Sequence, residues 1–361
     1  MLFLLLLQLK GSLSLSIPVE MHPFCGTSAM YAKGKCAHGI HVTQGPRFVP
    51  GSTKVILKVL AAGINPVDYK IPEIKGYRGS AGLDVCGEVV HAPPGCNLKI
   101  GDIVFGFTQS GSLAEYCECE PGKVALKPEQ LSAVQCAMLP VAGLTALQAL
   151  RDHGQVKAGE SVLVIGGSGG CGALGVSIGK AMGAQITAVC SQKNADFVKN
   201  LGADLVHCYD GADGPLPLSR KGEFDCIFDT VTSPDDFNYE PTARVLLKAK
   251  KMYVAINGMV SDWIRLLLGQ ALCLGNGLQR SGYRLFTCQQ KSSDLSALAD
   301  LCTSAKLPLT LDDFSLNEKP LFTTQTHIDA AFTRLKSRRT KGKIVLAAAA
   351  QVWEDHLKLC S

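Results

Sequence analysis

A chain of 361 residues, 47% of them hydrophobic, is long enough for two domains of ordinary size and can bury a core in each, which makes it a globular protein. Its net charge of +5 is spread along the sequence except for "KSRRTKGK" at 336–343, read as a solvated helix end rather than a nucleic-acid patch. Fifteen cysteines, an odd number without regular spacing, point to free thiols in a reducing compartment and against secretion.

The opening "MLFLLLLQLK" is far shorter than the roughly 20 apolar residues that a membrane span requires. It also lacks a basic signal n-region, and no Arg precedes Arg47, so residues 1–29 read as a possible targeting or disordered segment. The compartment stays open between cytoplasm and an organelle. Cys36, His38 and His41 alternate along a strand and read as surface positions rather than metal ligands.

From about Met30 to Leu126, short β-like runs are broken by Gly and Pro: "KVILKVLAAGINP", "DVCGEVVHAPPG", "GDIVFGF", "GSLAEYCEC" and "KVALKP". The helical stretch "LSAVQCAMLPVAGLTALQALRDHG" leads into strands at 161–167, 184–190, 204–210, 224–231, 250–257 and 283–288 with helical segments between. Five such crossovers imply an α/β fold with a doubly wound parallel sheet. After the helix "SDLSALADLCTSAK" the pattern returns to β at "LPLTLDDFSL", followed by a helix near "THIDAAFTRLKSR" and a last strand "GKIVLAA". The expected division is residues 30–133 with 308–361 in a β-rich substrate domain and residues 134–307 in a nucleotide-binding domain.

Directly after the first parallel strand comes "GGSGGCG". Gly167, Gly169 and Gly172 supply G-x-G-x-x-G, for a tight turn, close approach of backbone to a pyrophosphate, and helix-on-strand packing. Ser168, Gly170 and Cys171 complete the loop. Sites that prefer NAD place an Asp or Glu about 20 residues on, where it would repel a 2′-phosphate. Here "AVCSQKN" (188–194) puts Cys190 and Ser191 there with Lys193 following. A hydroxyl and a cation suit a 2′-phosphate, so the expected cofactor is NADPH; the alternative is Lys193 as an ordinary helix-start residue.

Together with "AAGINPVDYK", "AGLDVCGEVV", "LPVAGLTALQAL" and "FVKNLGADLVHCYD", these motifs resemble the medium-chain dehydrogenase/reductase superfamily over roughly residues 30–346. Within it they resemble the zinc-free quinone oxidoreductase-like branch, which includes chloroplast-envelope quinone oxidoreductase homologues and reticulon-4-interacting relatives. The resemblance implies a GroES-like β domain, a Rossmann domain and a cofactor between them. It further implies that Tyr209 joins Ser191 and Lys193 at the 2′-phosphate, that Thr145 and Asn65 lie near the nicotinamide and its ribose, and that Asn257 and Gly258 lie near the nicotinamide amide. Zinc alcohol dehydrogenases of the superfamily carry Cys, His-Glu and Cys where this chain has Asn65, Leu83-Asp84 and Val141, so the resemblance implies no metal.

Without a Lewis acid, hydride goes to an acceptor that is already electrophilic, a quinone or the β-carbon of an α,β-unsaturated carbonyl. Tyr77, near a position where enoyl-thioester reductases of the superfamily place a Tyr, is the first candidate hydrogen-bond donor to the developing oxyanion, and Tyr69 the second. The alternative for Tyr77 is a surface-loop tyrosine. An enoyl-thioester reductase of fatty-acid synthesis and a non-catalytic NADPH-binding regulator are the rival functions. The apolar segment 257–277 would line a cleft or the edge of a homodimer.

Overall fold

The computed structural model describes residues 27–34, 37–44, 53–70, 81–233, 237–274 and 278–360. The first 26 residues, the Cys36 position and Tyr77 lie outside them. In chain order the strands are β1 (Thr27–Gly34), β2 (Ala37–Gln44), β3 (Val55–Ile64), β4 (Asp84–His91), β5 (Ile103–Phe107), β6 (Tyr116–Cys119) and β7 (Val124–Leu126). They continue as β8 (Ser161–Ile165), β9 (Gln185–Cys190), β10 (Leu205–Cys208), β11 (Phe224–Asp229), β12 (Leu247–Ala255), β13 (Tyr283–Leu285) and β14 (Ile344–Ala347). Contacts divide the described residues into two compact units, one built on Thr145–Cys288, the other on those from Thr27 to Leu144 with Gln289–Ser304 and those from Leu309 on.

In the β-rich unit the antiparallel order is β14-β3-β4-β5-β7. Ten-residue β3 is long enough to serve two partners end to end: Val55–Lys58 pair with β6 and Ala61–Ile64 with β14. Its near-continuous burial follows from this shared role, since β4 takes its other edge along most of its length. Leu57, Val59, Val85, Phe322, Ile328 and Leu346 fill the core beneath the sheet. The register has one consequence for chemistry. Gly63 pairs with Asp84, and Ile344 pairs with Ile64, so the C-terminal end of β3, the start of β4 and the start of β14 meet at one point.

The helix Ser292–Ser304 packs in this unit, where Leu295 lies against Gly106 and Leu298 against Gly143. The last helix, Ala350–Cys360, docks through Trp353, 1% exposed, whose Nε1 donates to Pro320 O at 3.3 Å, and through His356, whose Nδ1 meets Ser132 Oγ at 2.8 Å. Segment 307–316, expected to be β, makes only a single bridge, at Leu311 to Lys343, and then a helix, Asp313–Glu318. Asp312 explains the difference: its carboxylate caps the helix by accepting Phe314 N–H and holds Arg334 through two 2.9 Å bonds.

The other unit is a six-stranded parallel sheet in the order β10-β9-β8-β11-β12-β13. Its first strand in sequence, β8, lies in the interior and the order reverses between β8 and β11, the switch point at whose carboxyl edge open α/β sheets bind ligands. β8, β9 and β11 are buried almost throughout, as strands covered on both faces must be. At the β13 edge, Tyr283 N–H donates to Arg280 O, and the Gln279 amide both donates to Leu285 O and accepts Leu285 N–H. Within the described part of the apolar segment 257–277, residues 257–274, lies the helix Val260–Ala271, which exposes Val260, Ile264 and Leu268 at four-residue spacing, continued by Leu272.

Candidate functional site

The glycine-rich loop starts where β8 ends. The residue that turns the chain is Gly166, at φ +84°, rather than Gly167; an added Cβ there would lie 2.6 Å from both Thr230 Oγ1 and Val231 Cγ2. Gly167 instead packs the loop on β9, with room for a Cβ only at 3.0 Å from the Ala188 methyl. Gly172 is the close-packing position, since a Cβ would meet Gly166 O at 2.1 Å. Gly169 is different. It is the N-cap of the helix Gly170–Ala181, no side chain caps that helix, and the atom nearest to an added methyl would be Gly166 O at an ordinary 3.6 Å. The protein therefore leaves space at Gly169, in front of backbone N–H groups suited to an anion. Gly170 and Cys171 open this helix, and Ser168 Oγ accepts a 3.1 Å bond from Asn194 Nδ2. No sequence motif points to Asn194, which the fold alone brings to the loop.

Ser191, 5% exposed, and the exposed Lys193 lie in the turn after β9, and Tyr209, 48% exposed, follows β10. The strands hold them together: Gly166 and Gly167 N–H both donate to Val189 O, and Tyr209 N–H donates to Cys190 O at 3.0 Å. The loop 166–172, the Ser191–Lys193 turn and Tyr209 thus form one edge. Asn257 and Gly258 follow β12, with Asn257 Oδ1 accepting Trp263 Nε1 at 3.2 Å. Thr145 is buried in the helix Pro140–Gln148.

A second organiser that no sequence motif marks is Asp229, 1% exposed at the end of β11. Its Oδ2 accepts Tyr253 Oη at 2.5 Å and its Oδ1 accepts the N–H groups of Val231 and Thr232 at 2.8 and 3.1 Å. Thr230 donates both its N–H and its hydroxyl to Ile165 O, so "FDTVTS" is a turn fixed to the end of β8 without a glycine after Val231. Burial and the adjacent Asp229 raise the Tyr253 pKa well above 10, leaving a neutral hydroxyl that donates.

In the β-rich unit, Asn65 sits where β3, β4 and β14 meet. Its Nδ2 donates to Asp84 Oδ2 at 2.8 Å, and Val141 N–H donates to Asp84 Oδ1 at 2.9 Å. Between them lies Lys343, the last residue of the basic run 336–343. The run does follow the end of the helix Gln325–Lys336, but Lys343 is 4% exposed and not part of a solvated end. Its Nζ donates to Ile64 O at 3.1 Å, Asn65 Oδ1 at 2.7 Å and Asp84 Oδ2 at 3.3 Å, which uses all three ammonium protons. Gly342 makes the approach possible at φ +84°, where any Cβ would lie 2.3 Å from Thr310 O. Asp68, 5% exposed, accepts Asn65 N–H at 2.6 Å through Oδ2, while its buried Oδ1 has no partner among the described residues. Burial pushes the Asp68 pKa from 3.8 to about 7, with the Asp84 carboxylate adding to the rise and the Asn65 N–H and Lys343 opposing it.

Of the positions compared above with zinc ligands, Asn65, Leu83-Asp84 and Val141, the structure joins the Asn65 amide and the Val141 backbone N–H to Asp84, a carboxylate already holding an ammonium, and Leu83 offers no ligand. This donor set does not fit a zinc ion. Among the described residues, no group of three or more His, Cys, Asp or Glu side chains could hold a metal. Nor is any described helix long and apolar enough to cross a membrane.

Family models described as "Alcohol dehydrogenase GroES-like domain" and "Zinc-binding dehydrogenase" match residues 51–133 and 201–346. The chain is 31% identical over 334 residues to the trans-enoyl reductase pgmF of Aspergillus terreus, covering 84% of this chain and 89% of that protein. The chain belongs to the medium-chain dehydrogenase/reductase superfamily. It shares 36% identity over 206 residues with the chloroplast envelope quinone oxidoreductase homolog of Arabidopsis thaliana, 53% of this chain and 63% of that one. Over 209 residues it is 33% identical to the mitochondrial NAD(P)H oxidoreductase RTN4IP1 of Homo sapiens, 49% of this chain and 52% of that one. Among solved structures, the quinone oxidoreductase from Coxiella burnetii has the same fold at a TM-score of 0.73 and 23% identity, covering 90% of this chain and all (100%) of that one. A mycobacterial protein complexed with NADPH matches at 0.69 and 20% identity over 89% of this chain and 99% of that one. Like its superfamily relatives, this chain is an oxidoreductase with a nicotinamide cofactor.

Two outcomes follow from this geometry. Native Asp68 keeps its proton to about pH 7, whereas the unfolded carboxyl loses it near pH 3.8. The unfolded state binds fewer protons in that window, so stability falls as pH rises through it and levels off above. Urea denaturation should show Asp68 alone costing about 3 kcal/mol between pH 5 and pH 8. Asp68→Asn should remove that part of the decline, and equal declines in both proteins would contradict the assignment. At the loop, Gly172→Ala should lower stability by roughly 2 kcal/mol through overpacking. Gly169→Ala should melt within a few degrees of wild type yet bind dinucleotide on the order of tenfold more weakly by calorimetry, because its methyl takes the space left for the ligand. Unchanged affinity in a folded Gly169→Ala protein would remove the loop from the site.

Proposed function

We propose that the chain is an NADPH-dependent, zinc-independent reductase that delivers hydride to quinones or to the β-carbon of α,β-unsaturated carbonyls. The observation that carries the reading is the Lys343 ammonium bonded to Asn65 and Asp84, among the positions that the family resemblance aligns with zinc ligands. A cation already fills the need for positive charge there, and adding a divalent ion would require expelling a buried, fully bonded ammonium. With no Lewis acid to polarise an alcohol or a simple carbonyl, the acceptor must carry its own electrophilicity.

When bound, the cofactor supplies the hydride. The residues proposed to hold it are Gly167, Ser168, Gly169, Gly170, Cys171 and Gly172 at the pyrophosphate, with Ser191, Lys193 and Tyr209 at the 2′-phosphate. Thr145, Asn257 and Gly258 are assigned to the nicotinamide end. Asn65, whose amide is fixed by Asp84 and Lys343, is assigned to the same end, where a rigid amide orients better than a mobile one. Tyr77 keeps its proposed role as oxyanion donor, at a position outside the described residues, and the final proton comes from water. A homodimer belongs to this reading, formed through the stripe Val260, Ile264, Leu268 and Leu272 rather than through the β13 edge, where the Gln279 amide bonds Leu285.

One observation favours a second reading: a relative matched over most of its length is a trans-enoyl reductase by name. An enoyl-thioester acceptor requires the same hydride addition to a β-carbon. Spectrophotometric turnover of NADPH and NADH with a quinone, a short enone and a short enoyl thioester separates the cases. The proposed function predicts faster oxidation of NADPH with quinone or enone; exclusive thioester turnover would select the second reading, and binding without turnover would reject both.

A further inference from the structure

The sequence lacks an acid at the end of β9, but the fold supplies one from the neighbouring strand. Cys208 pairs with Cys190 in the register of β10 on β9, and Tyr209 N–H bonds to Cys190 O, which brings residue 210 beside the turn that carries Ser191 and Lys193. Residue 210 is an aspartate, and its Oδ1 accepts the backbone N–H of Gln192 at 2.7 Å. The carboxylate is thus bonded to the residue between Ser191 and Lys193. It also lies close enough to both Cys190 and Cys208 to raise their thiol pKa values further, on top of the larger effect of burial.

This placement has two consequences. The turn is held in shape by the chain's own acid, with Asn194 N–H closing on Ser191 O at 2.9 Å as a further tie. The Gln192 N–H, a donor that such a turn could offer to an anion, is already used. A 2′-phosphate bound by Ser191 and Lys193 would share that edge with a fixed negative charge, and Asp210 and Lys193 would act on it with opposite sign.

We propose that Asp210 is a specificity-determining residue of the dinucleotide site: it braces the Ser191–Lys193 turn through Gln192 while weakening 2′-phosphate binding, so that preference for NADPH over NADH is set by the balance of Lys193 against Asp210. The inference rests on the assignment of Ser191 and Lys193 to the 2′-phosphate. It deepens that assignment by naming the residue that limits the preference.

Asp210→Asn keeps an oxygen to accept Gln192 N–H and removes only the charge. Dissociation constants for NADPH and NADH, measured by calorimetry on wild type, Asp210→Asn and Lys193→Met, provide the test. NADPH is expected to bind Asp210→Asn about fivefold more tightly than wild type, with NADH within twofold, and the gain should shrink as salt is raised. An NADPH constant unchanged in Asp210→Asn, with Lys193→Met weakening NADPH, overturns the role of Asp210 and leaves the phosphate site standing. NADPH affinity insensitive to Lys193→Met overturns the phosphate assignment itself.

Discussion

One buried ammonium organises the β-rich unit. Lys343 is brought to the end of β3 by the pairing of Ile344 with Ile64, and it gives its three protons to Ile64 O, Asn65 and Asp84. A charge so far from water is tolerable only with every proton bonded and a counter-charge beside it, and losing one partner of such a pair costs roughly 3–5 kcal/mol. The neighbours are constrained by it. Asp84 neutralises Lys343, which leaves Asp68 as a second carboxyl with no cation of its own among the described residues, and burial then keeps it protonated to about pH 7. Asn65 is locked by donating to one member of the pair and accepting from the other.

The parallel-sheet unit depends on a different constraint, lack of space. Gly166, Gly172 and Gly175 each stand where a Cβ would come within 3 Å of a neighbour, so the loop and its helix are pressed against β8, β11 and the Thr230 turn. Asp229 and Thr230 tie that turn to Ile165 and to Tyr253. Gly169, unlike Gly166, Gly167 and Gly172 around it, has ordinary clearance, and the uncapped helix start opens there. Close packing on either side is what lets a short stretch of backbone face a ligand.

Much of this is readable in the chain, because local patterns report local physics. The six parallel strands announce themselves as short β-branched runs between helical segments, and each lies within a few residues of its expected place. G-x-G-x-x-G locates the loop but misassigns its turn: the left-handed residue is Gly166, a choice made by contact with Thr230 and Val231, which lie more than 60 residues further on. "LPLTLDDFSL" looks like a strand because its apolar residues alternate, whereas Asp312 caps a helix there and anchors Arg334. Lys343 is hidden in a basic run whose other members suggest solvent, and only strand register, linking residues 278 apart in sequence, reveals it as a partner of Asn65. Asp210 is hard to read for the same reason: the pattern places the acid at the end of β9, and the pairing of β10 delivers it from alongside.

The Lys343 ammonium bonded to Asn65 and Asp84 is the feature on which the proposed metal-free chemistry stands or falls. The decisive experiment is metal analysis of the purified, catalytically active protein before and after exhaustive chelation. Zinc far below one ion per chain is expected, with the same rate of NADPH oxidation by a quinone or enone in both samples. One zinc per chain, lost on chelation together with the activity and restored with it on adding the metal back, would contradict a metal-free site.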